Sequence, residues 1–241
     1  RVYNPNIGDG RGFTIAQFYK NKKLYDLGTK GSGLTPYSRG GDGRLTLKGG
    51  VREVLCSNYL DAQGVSTSQS LSLIETGESL IRSDEPSPTR SSIIVRVSHS
   101  HIRIGTFQYH AYHQDHDSLE LLIKSVGEHY LFLYEKDNNP LNFFKNVVKK
   151  CAKLAASYHI CGFVHGVLNT DNININGESF DYGPYRFLEK YDPHKIAAYF
   201  DHSGLYKFSN QTDAIFWNLQ QLASIMTIFL EDDPIVNELK K

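Results

Sequence analysis

The sequence predicts an α+β protein in which a strand-rich half precedes a helical half. The first hundred residues are dense in glycine and alternate short apolar runs with turns, which is typical of strands joined by tight loops. From Asp117 onward, apolar residues instead recur at helical spacing, and a polar segment with strand-like alternation follows the longest helix. This division predicts two lobes that meet at a cleft, where ligands commonly bind.

Four strands and one helix are predicted in the first half. The helix spans about residues 50–63 and is closed by Gly64, at the position where helices favour a left-handed residue. The polar, proline-containing stretch 83–91 predicts a connection between the last two strands. The predicted strands are residues 13–18, 23–27, 70–74 and 92–97, and the glycine-rich turns are residues 8–12, 27–33 and 39–44.

Three amphipathic helices are predicted in the second half. The first starts near Asp117, the second follows an apolar stripe from Leu141 to Tyr158, and the third spans about residues 213–229. Between the second and third helices, residues 173–176 alternate with period 2, which predicts a short strand that ends in a turn at Gly177.

Composition excludes several classes of protein. The 241 residues carry 26 Lys and Arg against 26 Asp and Glu, so the net charge is zero, whereas proteins that coat nucleic acid usually have a basic surplus. A hydrophobic share of 40% is enough for a buried core and argues against disorder. No run approaches the roughly 18 apolar residues of a membrane span, and no export signal is evident. We therefore expect neither a nucleic-acid nor a membrane partner.

Cysteine usage predicts the compartment. Cys56, Cys151 and Cys161 are odd in number and show no CxxC or Cys/His spacing, so neither a disulfide framework nor a zinc site is expected. A reducing compartment is favoured, which is a bacterial cytoplasm, or a mitochondrial matrix for a eukaryotic source. We expect a monomer, and the start at Arg1 rather than Met favours a processed or trimmed chain.

The segment from His165 to Asn172, followed by Asp181-Tyr182-Gly183, has the pattern of a metal-phosphate site. Mg²⁺ accepts few protein ligands and prefers carboxylate and amide oxygens, which Asn172 and Asp181 could supply from opposite ends of a small strand hairpin. Protein kinases use an Asn and the Asp of a D-F-G triplet in this way. For an isolated pair, the better interpretation is that Asn172 caps a turn and Asp181 lies in a solvated loop.

The motifs are collinear over nearly the whole chain and together resemble those of selenoprotein O. The resemblance implies a protein-kinase-like fold with a β-rich lobe at residues 1–105, a helical lobe at residues 106–241 and a nucleotide site between them. It also implies transfer of AMP from ATP to Ser, Thr or Tyr hydroxyls of proteins, with Mg²⁺, or alternatively Mn²⁺. The segments that carry it are GDGR (8–11), KGSGLTPYSRGGDGR (30–44), VREVLCSNYLDAQGVSTSQSLSL (51–73), VRVSHSHIRIGTF (95–107), GFVHGVLNTDN (162–172), DYGP (181–184), YDP (191–193) and WNLQQLA (217–223).

The comparison with kinases suggests a different catalytic base. A kinase places an Asp two residues after its catalytic-loop His, but this position is Val167, which cannot accept a proton. Asp171 is the nearest carboxylate, and the resemblance implies that it takes this role. The alternative for Asp171 is a turn or cap residue. His165 is expected to orient the loop by hydrogen bonding rather than to act as a base.

Phosphate binding needs cations and unobstructed backbone N–H groups. Gly8, Gly10 and Arg11 offer both within one turn, although such turns commonly only join strands. Lys30 and Glu53 resemble the kinase ion pair that fixes a lysine over the phosphates. Without the resemblance, Glu53 would be interpreted as an ordinary exposed helix carboxylate.

Two arginines distinguish the expected reaction from that of a kinase. Arg96 interrupts an apolar strand, and a buried guanidinium needs an anionic partner, which could equally be a structural salt bridge. The resemblance implies that Arg96 and Arg103 hold the terminal phosphates of an ATP bound in reversed orientation, so that the α-phosphorus faces the acceptor. It also implies nucleotide contacts at Asp42 and Gly43, for which a simple turn is the alternative.

Two other functions remain open at the level of sequence. An atypical kinase would transfer the γ-phosphoryl group, and a non-catalytic scaffold would only bind nucleotide. Five histidines between positions 99 and 116 fit no zinc pattern and are expected in a solvated loop between the lobes.

Overall fold

A computed structural model describes residues 8–134 and 137–240 and has the predicted α+β architecture. The outer ends of the predicted lobes, and residues 135 and 136, lie outside the described ranges. The described strands are β1 (Thr14–Lys20), β2 (Lys23–Lys30), β3 (Leu45–Thr46), β4 (Gln69–Leu80), β5 (Thr89–Ser98), β6 (Phe163–His165) and β7 (Tyr185–Phe187). The described α-helices are α1 (Leu47–Ala62), α2 (Ile104–Tyr112), α3 (His116–His129), α4 (Pro140–Ile160), α5 (Gln211–Met226) and α6 (Asp232–Leu239).

Strand β5 organises the larger sheet, and its neighbours all run antiparallel to it. It pairs with β4 along most of its length, with β2 at Ile94–Ser98 and with β3 at Ser91–Ser92, while β1 pairs with β2. Because side chains alternate across a strand, Ile94, Arg96 and Ser98 share one buried face. An arginine is thereby set among buried residues.

Helix α1 crosses from the sheet toward the helical half. The Thr46 hydroxyl caps it by accepting a hydrogen bond from the Gly49 N–H at 3.1 Å, and Gly64, with φ of +76°, follows its C-terminus as predicted. Its buried face contains Glu53 as well as the apolar Cys56 and Leu60. A carboxylate is therefore carried into the interior on an otherwise ordinary amphipathic helix.

The main hydrophobic core lies among the helices. Helix α4 is the longest, starts with Pro140 after an Asn139 cap, and buries its apolar stripe against α3, α5 and α6. Phe143, Phe144 and Val147 are fully buried there. In the described part of the chain, no helix is both long and apolar enough to cross a membrane.

The predicted strand at residues 173–176 is wrong. Asn174 instead forms a single isolated bridge with Arg103, and Ser179 forms another with Thr67. The Asn174 side chain accepts from the Asn176 N–H, and the Asn176 side chain accepts from the Glu178 N–H at 3.0 Å. Successive asparagines thus satisfy the backbone locally and replace the hairpin by a chain of turns.

The sequence had predicted a solvated loop for the histidine-rich stretch, and this prediction is wrong. It contains α2, with His110 in its last turn, His113 as its C-terminal cap and His116 at the start of α3. Two fully buried side chains, Ile104 and Phe107, anchor α2 to the core. So few apolar positions give a weak periodic signal. The connection between β4 and β5 is also shorter than predicted and covers residues 81–88.

A buried carboxylate joins the sheet to the helical half. Asp26 on β2 accepts hydrogen bonds from Gln17 at 2.8 Å, from the hydroxyl of Tyr130 at 3.0 Å and from the N–H of His101 at 2.8 Å. Burial alone would raise the pKa of Asp26, but the hydrogen bonds from His101 and Gln17 outweigh it and lower the pKa. The fold therefore stabilises the ionised form of Asp26.

We expect Asp26→Asn to lower the free energy of unfolding by about 1–3 kcal/mol at pH 7, because a buried hydrogen-bond network loses its charge and one of its two acceptor oxygens. Since folding lowers this pKa below its ordinary value of 3.8, the contribution is complete above that pH and is lost as the pH falls through the folded value. Urea denaturation from pH 7 to pH 3 measures both effects. The exposed Asp61→Asn serves as the control, and equal losses in the two variants would contradict the assignment.

Candidate active site

A cavity of about 710 Å³ lies between the glycine-rich turns of the first half and the polar segment after β6. Ten of the twelve predicted site residues line it: Gly8, Gly10, Arg11, Lys30, Asp42, Gly43, Arg103, Asp171, Asn172 and Asp181. Arg96 lines an adjoining cavity of about 170 Å³, which shares Arg103 and Asp171 with the first. Glu53 reaches the site through its contact with Lys30.

Lys30 is the last residue of β2 and is almost completely buried. Its ammonium group is paired with the carboxylates of both Glu53 and Asp181. Burial alone would raise the pKa of Asp181, but the charges of Lys30 and Arg96 outweigh it and hold that pKa well below the usual range. Asp181 is therefore an anion in a position to bind cations.

Arg96 and Arg103 form a second buried cluster beside this ion pair. Arg96 projects from β5 and Arg103 precedes α2, and the side chains of both are less than one-tenth exposed. Their guanidinium carbons lie 5.7 Å and 5.1 Å from the ring centroid of Phe180. An aromatic face favours such cations without supplying an anion. Arg103 is the N-terminal cap residue of α2.

One oxygen of Asp9 bridges the two guanidinium groups. Its Oδ2 atom accepts from Arg103 Nη2 at 2.9 Å and from Arg96 Nη2 at 3.2 Å. Arg103 also donates to Asp171 Oδ1 at 3.3 Å, and Arg96 Nη1 lies 3.8 Å from Asp181 Oδ1. The arginine pair is thus in contact with three carboxylates.

Within residues 8–134 and 137–240, the only buried lysine or arginine residues are Lys30, Arg96 and Arg103. Burial of a charge is costly unless the charge is paired. Despite the neighbouring carboxylates, the Nε atoms of both arginines and Nη1 of Arg96 have no hydrogen-bond acceptor among the described residues. These donors make the cluster suited to an anion with several oxygens, such as a phosphate chain.

The second glycine turn is built by backbone constraints. Gly43 has φ of +69°, and a Cβ atom at this position would lie 2.1 Å from the carbonyl oxygen of Gly33, so only glycine fits. Asp42 lines the cavity, but its carboxylate already accepts hydrogen bonds from both terminal nitrogens of Arg82, at 2.8 Å and 3.1 Å. The predicted nucleotide contact at Asp42 would therefore involve a side chain that already has a partner.

His165 connects the loop at residues 166–172 to Phe180, whose ring lies against the arginine cluster. Its Nε2 contacts the carbonyl of Phe180 at 3.1 Å, while its Nδ1 accepts from the Val167 N–H at 3.2 Å. These partners require the neutral tautomer with the proton on Nε2. Burial also lowers the pKa of His165. The ring has no free nitrogen for proton transfer and instead orients the loop, as predicted.

Asp171 and Asn172 lie in the loop that His165 orients. The amide nitrogen of Asn172 donates to the Val167 carbonyl at 2.9 Å, so its oxygen is the atom left for another ligand. Burial raises the pKa of Asp171, and Arg103 only partly offsets this. Asp171 is thus more basic than Asp181, although both line the same cavity.

The donors present fit a small divalent cation. Asn172 offers an amide oxygen, and Asp181 uses one carboxylate oxygen for Lys30, which leaves the other for a metal. In the described ranges, no three His, Cys, Asp or Glu side chains form a metal-binding group. Two oxygen ligands, with the remaining positions left to water and phosphate, is the arrangement typical of Mg²⁺ rather than of zinc.

Two important residues were missed from the sequence. Asp9 lies inside the GDGR turn, whose glycines and arginine indicate phosphate binding and give no role to the carboxylate. Phe180 precedes Asp181 and could be taken for a core residue alone. The only sequence signals were an acidic residue in a turn expected to bind anions and an aromatic residue next to a proposed metal ligand.

The family comparison agrees with this geometry. Residues 1–241 match the family described as "Protein adenylyltransferase SelO". The chain belongs to this family. The resemblance to selenoprotein O that was drawn from the motifs is thereby confirmed.

Curated bacterial members of the family are similar over nearly the whole chain. The protein nucleotidyltransferase YdiU of Synechocystis sp. is 55% identical over 225 residues, which is 91% of this chain and 47% of the relative. That of Trichodesmium erythraeum is 51% identical over 249 residues, with 99% and 52% covered, and that of Vibrio cholerae is 39% identical over 236 residues, with 97% and 48% covered. The chain spans about half the length of these relatives.

We expect the imidazole of His165 to stay neutral to a lower pH than an ordinary histidine, with its proton on Nε2, because burial and the Val167 N–H both oppose protonation. Nitrogen-15 NMR of the histidine ring gives the tautomer and protonation state directly. The His165→Gln variant identifies the resonance. A ring that becomes protonated with a midpoint near the ordinary pKa of 6.5 would contradict the orienting role.

Proposed function

We propose that this chain is the catalytic core of a protein adenylyltransferase with a kinase-like, two-lobed arrangement. The sheet and α1, within residues 1–105, would form one lobe, and residues 106–241 the other. The reaction would transfer AMP from ATP to a Ser, Thr or Tyr hydroxyl of another protein and release pyrophosphate. The names of the family and of its bacterial members support this activity.

The observation that carries the proposal is the position of the buried arginine pair beside Asp171. A phosphate chain whose terminal groups bind Arg96 and Arg103 would extend into the cavity that Asp171 also lines, with Asp171 in contact with Arg103 at 3.3 Å. Val167 offers no base at the position where a kinase needs one. Both features favour a reversed nucleotide whose α-phosphorus, rather than the γ-phosphorus, faces the acceptor.

In this mechanism Asp171 accepts the proton of the acceptor hydroxyl. The hydroxyl oxygen forms a bond to the α-phosphorus, the bond from that phosphorus to the bridging oxygen breaks, and the electron pair leaves with pyrophosphate. Arg96 and Arg103 stabilise the charge that develops on this leaving group. Arg11 and the N–H groups of the Gly8–Gly10 turn would contact the remaining phosphate oxygens.

Asn172 and Asp181 would hold Mg²⁺, or alternatively Mn²⁺. When bound, the metal supplies positive charge to the phosphate oxygens. Lys30 fixes the orientation of Asp181, and Glu53 fixes Lys30 in turn. We place the reaction in a bacterial cytoplasm with a monomeric enzyme, in keeping with the sequence expectations.

Incubation of the chain and an acceptor protein with ATP labelled at the α- or the γ-phosphate tests the proposal. We expect label to enter protein only from the α-position, and Asp181→Ala to abolish this transfer because a metal ligand is lost. Label that enters only from the γ-position would establish an atypical kinase. Failure to transfer either label under conditions in which ATP binds would indicate a scaffold.

We expect Asp171→Asn to lower kcat by roughly 10²–10⁴-fold while the Kd for ATP changes little, because the variant removes a base but keeps the shape of the loop. Since burial raises the pKa of Asp171 above its ordinary value of 3.8, the wild-type rate should fall with decreasing pH at a midpoint above that value. Steady-state rates from pH 4 to pH 8 measure this limb. A variant with unchanged kcat would exclude Asp171 as the base.

A further inference from the structure

The carboxylate of Asp9 lies where the proposed function requires phosphate oxygens to bind. Its Oδ2 atom receives Nη2 of both Arg96 and Arg103, at 3.2 Å and 2.9 Å. No other carboxylate oxygen of the described residues accepts hydrogen bonds from both guanidinium groups. A phosphate chain that binds Nη2 of both arginines must therefore share these donors with Asp9 or displace it.

The first glycine turn is folded around this carboxylate. Asp9 Oδ1 accepts from the Arg11 N–H at 3.1 Å, and a Cβ atom at Gly12 would lie 2.9 Å from Oδ2 and 3.0 Å from Oδ1. The Gly12 position would also bring that Cβ atom within 2.3 Å of the Thr29 carbonyl oxygen. Glycine at this position thus permits the close contact between the turn and its own acidic side chain.

Charge repulsion makes it unfavourable for Asp9 and a phosphate to bind the arginine pair at the same time. Burial alone would raise the pKa of Asp9, but Arg96 and Arg103 outweigh it and lower the pKa, so the carboxylate is ionised at neutral pH. A phosphate on the same guanidinium groups would place two anions side by side in a poorly solvated site, with Asp171 and Asp181 nearby. Such like-charge contacts are repulsive.

We propose that Asp9 is a positioning residue that holds the Arg96–Arg103 pair in the free protein and is displaced by the terminal phosphates of the nucleotide. This inference rests on the proposed function, because it uses the same arginines. Asp9 is accessible enough to leave, since its side chain is 29% exposed whereas the two arginine side chains are 4% and 8% exposed. The arginines stay in place against Phe180, and the turn that carries Asp9 moves.

Displacement of Asp9 has two consequences for the proposed reaction. The competing carboxylate weakens binding of any phosphate chain, including the pyrophosphate product, and so favours product release. It also links occupancy of the arginine pair to the position of the Gly8–Gly12 turn, whose N–H groups would contact the nucleotide. Asp9 is a determinant of affinity in this scheme and takes no part in bond formation.

Calorimetric titration with inorganic pyrophosphate and Mg²⁺ tests the inference in the absence of any transfer reaction. We expect Asp9→Asn to bind pyrophosphate at least roughly tenfold more tightly than the wild type, because a charged competitor is replaced by a neutral side chain of the same shape. Asp9→Glu keeps the charge and should remain near the wild-type Kd. Glu75→Gln, in a surface pair with Arg90 outside both cavities, is the matched control.

An unchanged or weaker affinity in Asp9→Asn would overturn the inference, and so would equal tightening in Asp9→Asn and Asp9→Glu, which would indicate a change in turn shape rather than in charge. Asp9→Ser provides the same comparison if Asp9→Asn does not fold. The outcome is separate from the proposed function. Transfer of the γ-label would contradict the adenylyltransferase assignment, while the pyrophosphate titrations could still support displacement of Asp9. Transfer of the α-label with the same Kd in Asp9→Asn and wild type would support the assignment and contradict the displacement.

Discussion

Neutralisation of three buried cations is the constraint on which the site depends. Lys30, Arg96 and Arg103 are removed from water, and each would be strongly destabilising without an anion nearby. Carboxylates from the first glycine turn, from α1 and from the two loops after β6 provide that charge. These paired charges form a polar cleft next to a well-packed helical core, to which α1 and the segment after β6 also contribute Leu60, Ile173 and Tyr182.

The same electrostatic field shifts the pKa values of two carboxylates of one cavity in opposite directions. Asp181 lies against Lys30 and near Arg96, and its pKa is held well below the usual range, which suits a permanent metal ligand. For Asp171, the effect of burial is larger than that of the nearby cations, chiefly Arg103, and its pKa is raised, which suits a proton acceptor. Two acidic residues ten positions apart thus acquire opposite properties from their surroundings rather than from their chemistry.

Much of this fold and site could be predicted from the sequence, because the patterns that indicate long helices and their ends depend only on residues close together in the chain. The apolar stripe of α4 and the glycine after α1 depend on spacing that neighbouring residues provide. Spacing alone could not show that residues 173–176 do not form a strand. Asparagine side chains there accept hydrogen bonds from backbone N–H groups in place of strand pairing. The role of Asp9 was equally hidden, because it depends on Arg96 and Arg103, about 90 residues further along the chain.

The distances in sequence between these charges also constrain how the protein folds. Lys30 and Asp181 are separated by 151 positions, whereas Lys30 and Glu53 are separated by 23. During synthesis from the N-terminus, Lys30 can therefore pair with Glu53 long before Asp181 has been made. Closure of the longer loop is the slower and entropically less favourable step. The complete charge cluster consequently requires closure of this longer loop, whereas the Lys30–Glu53 pair does not.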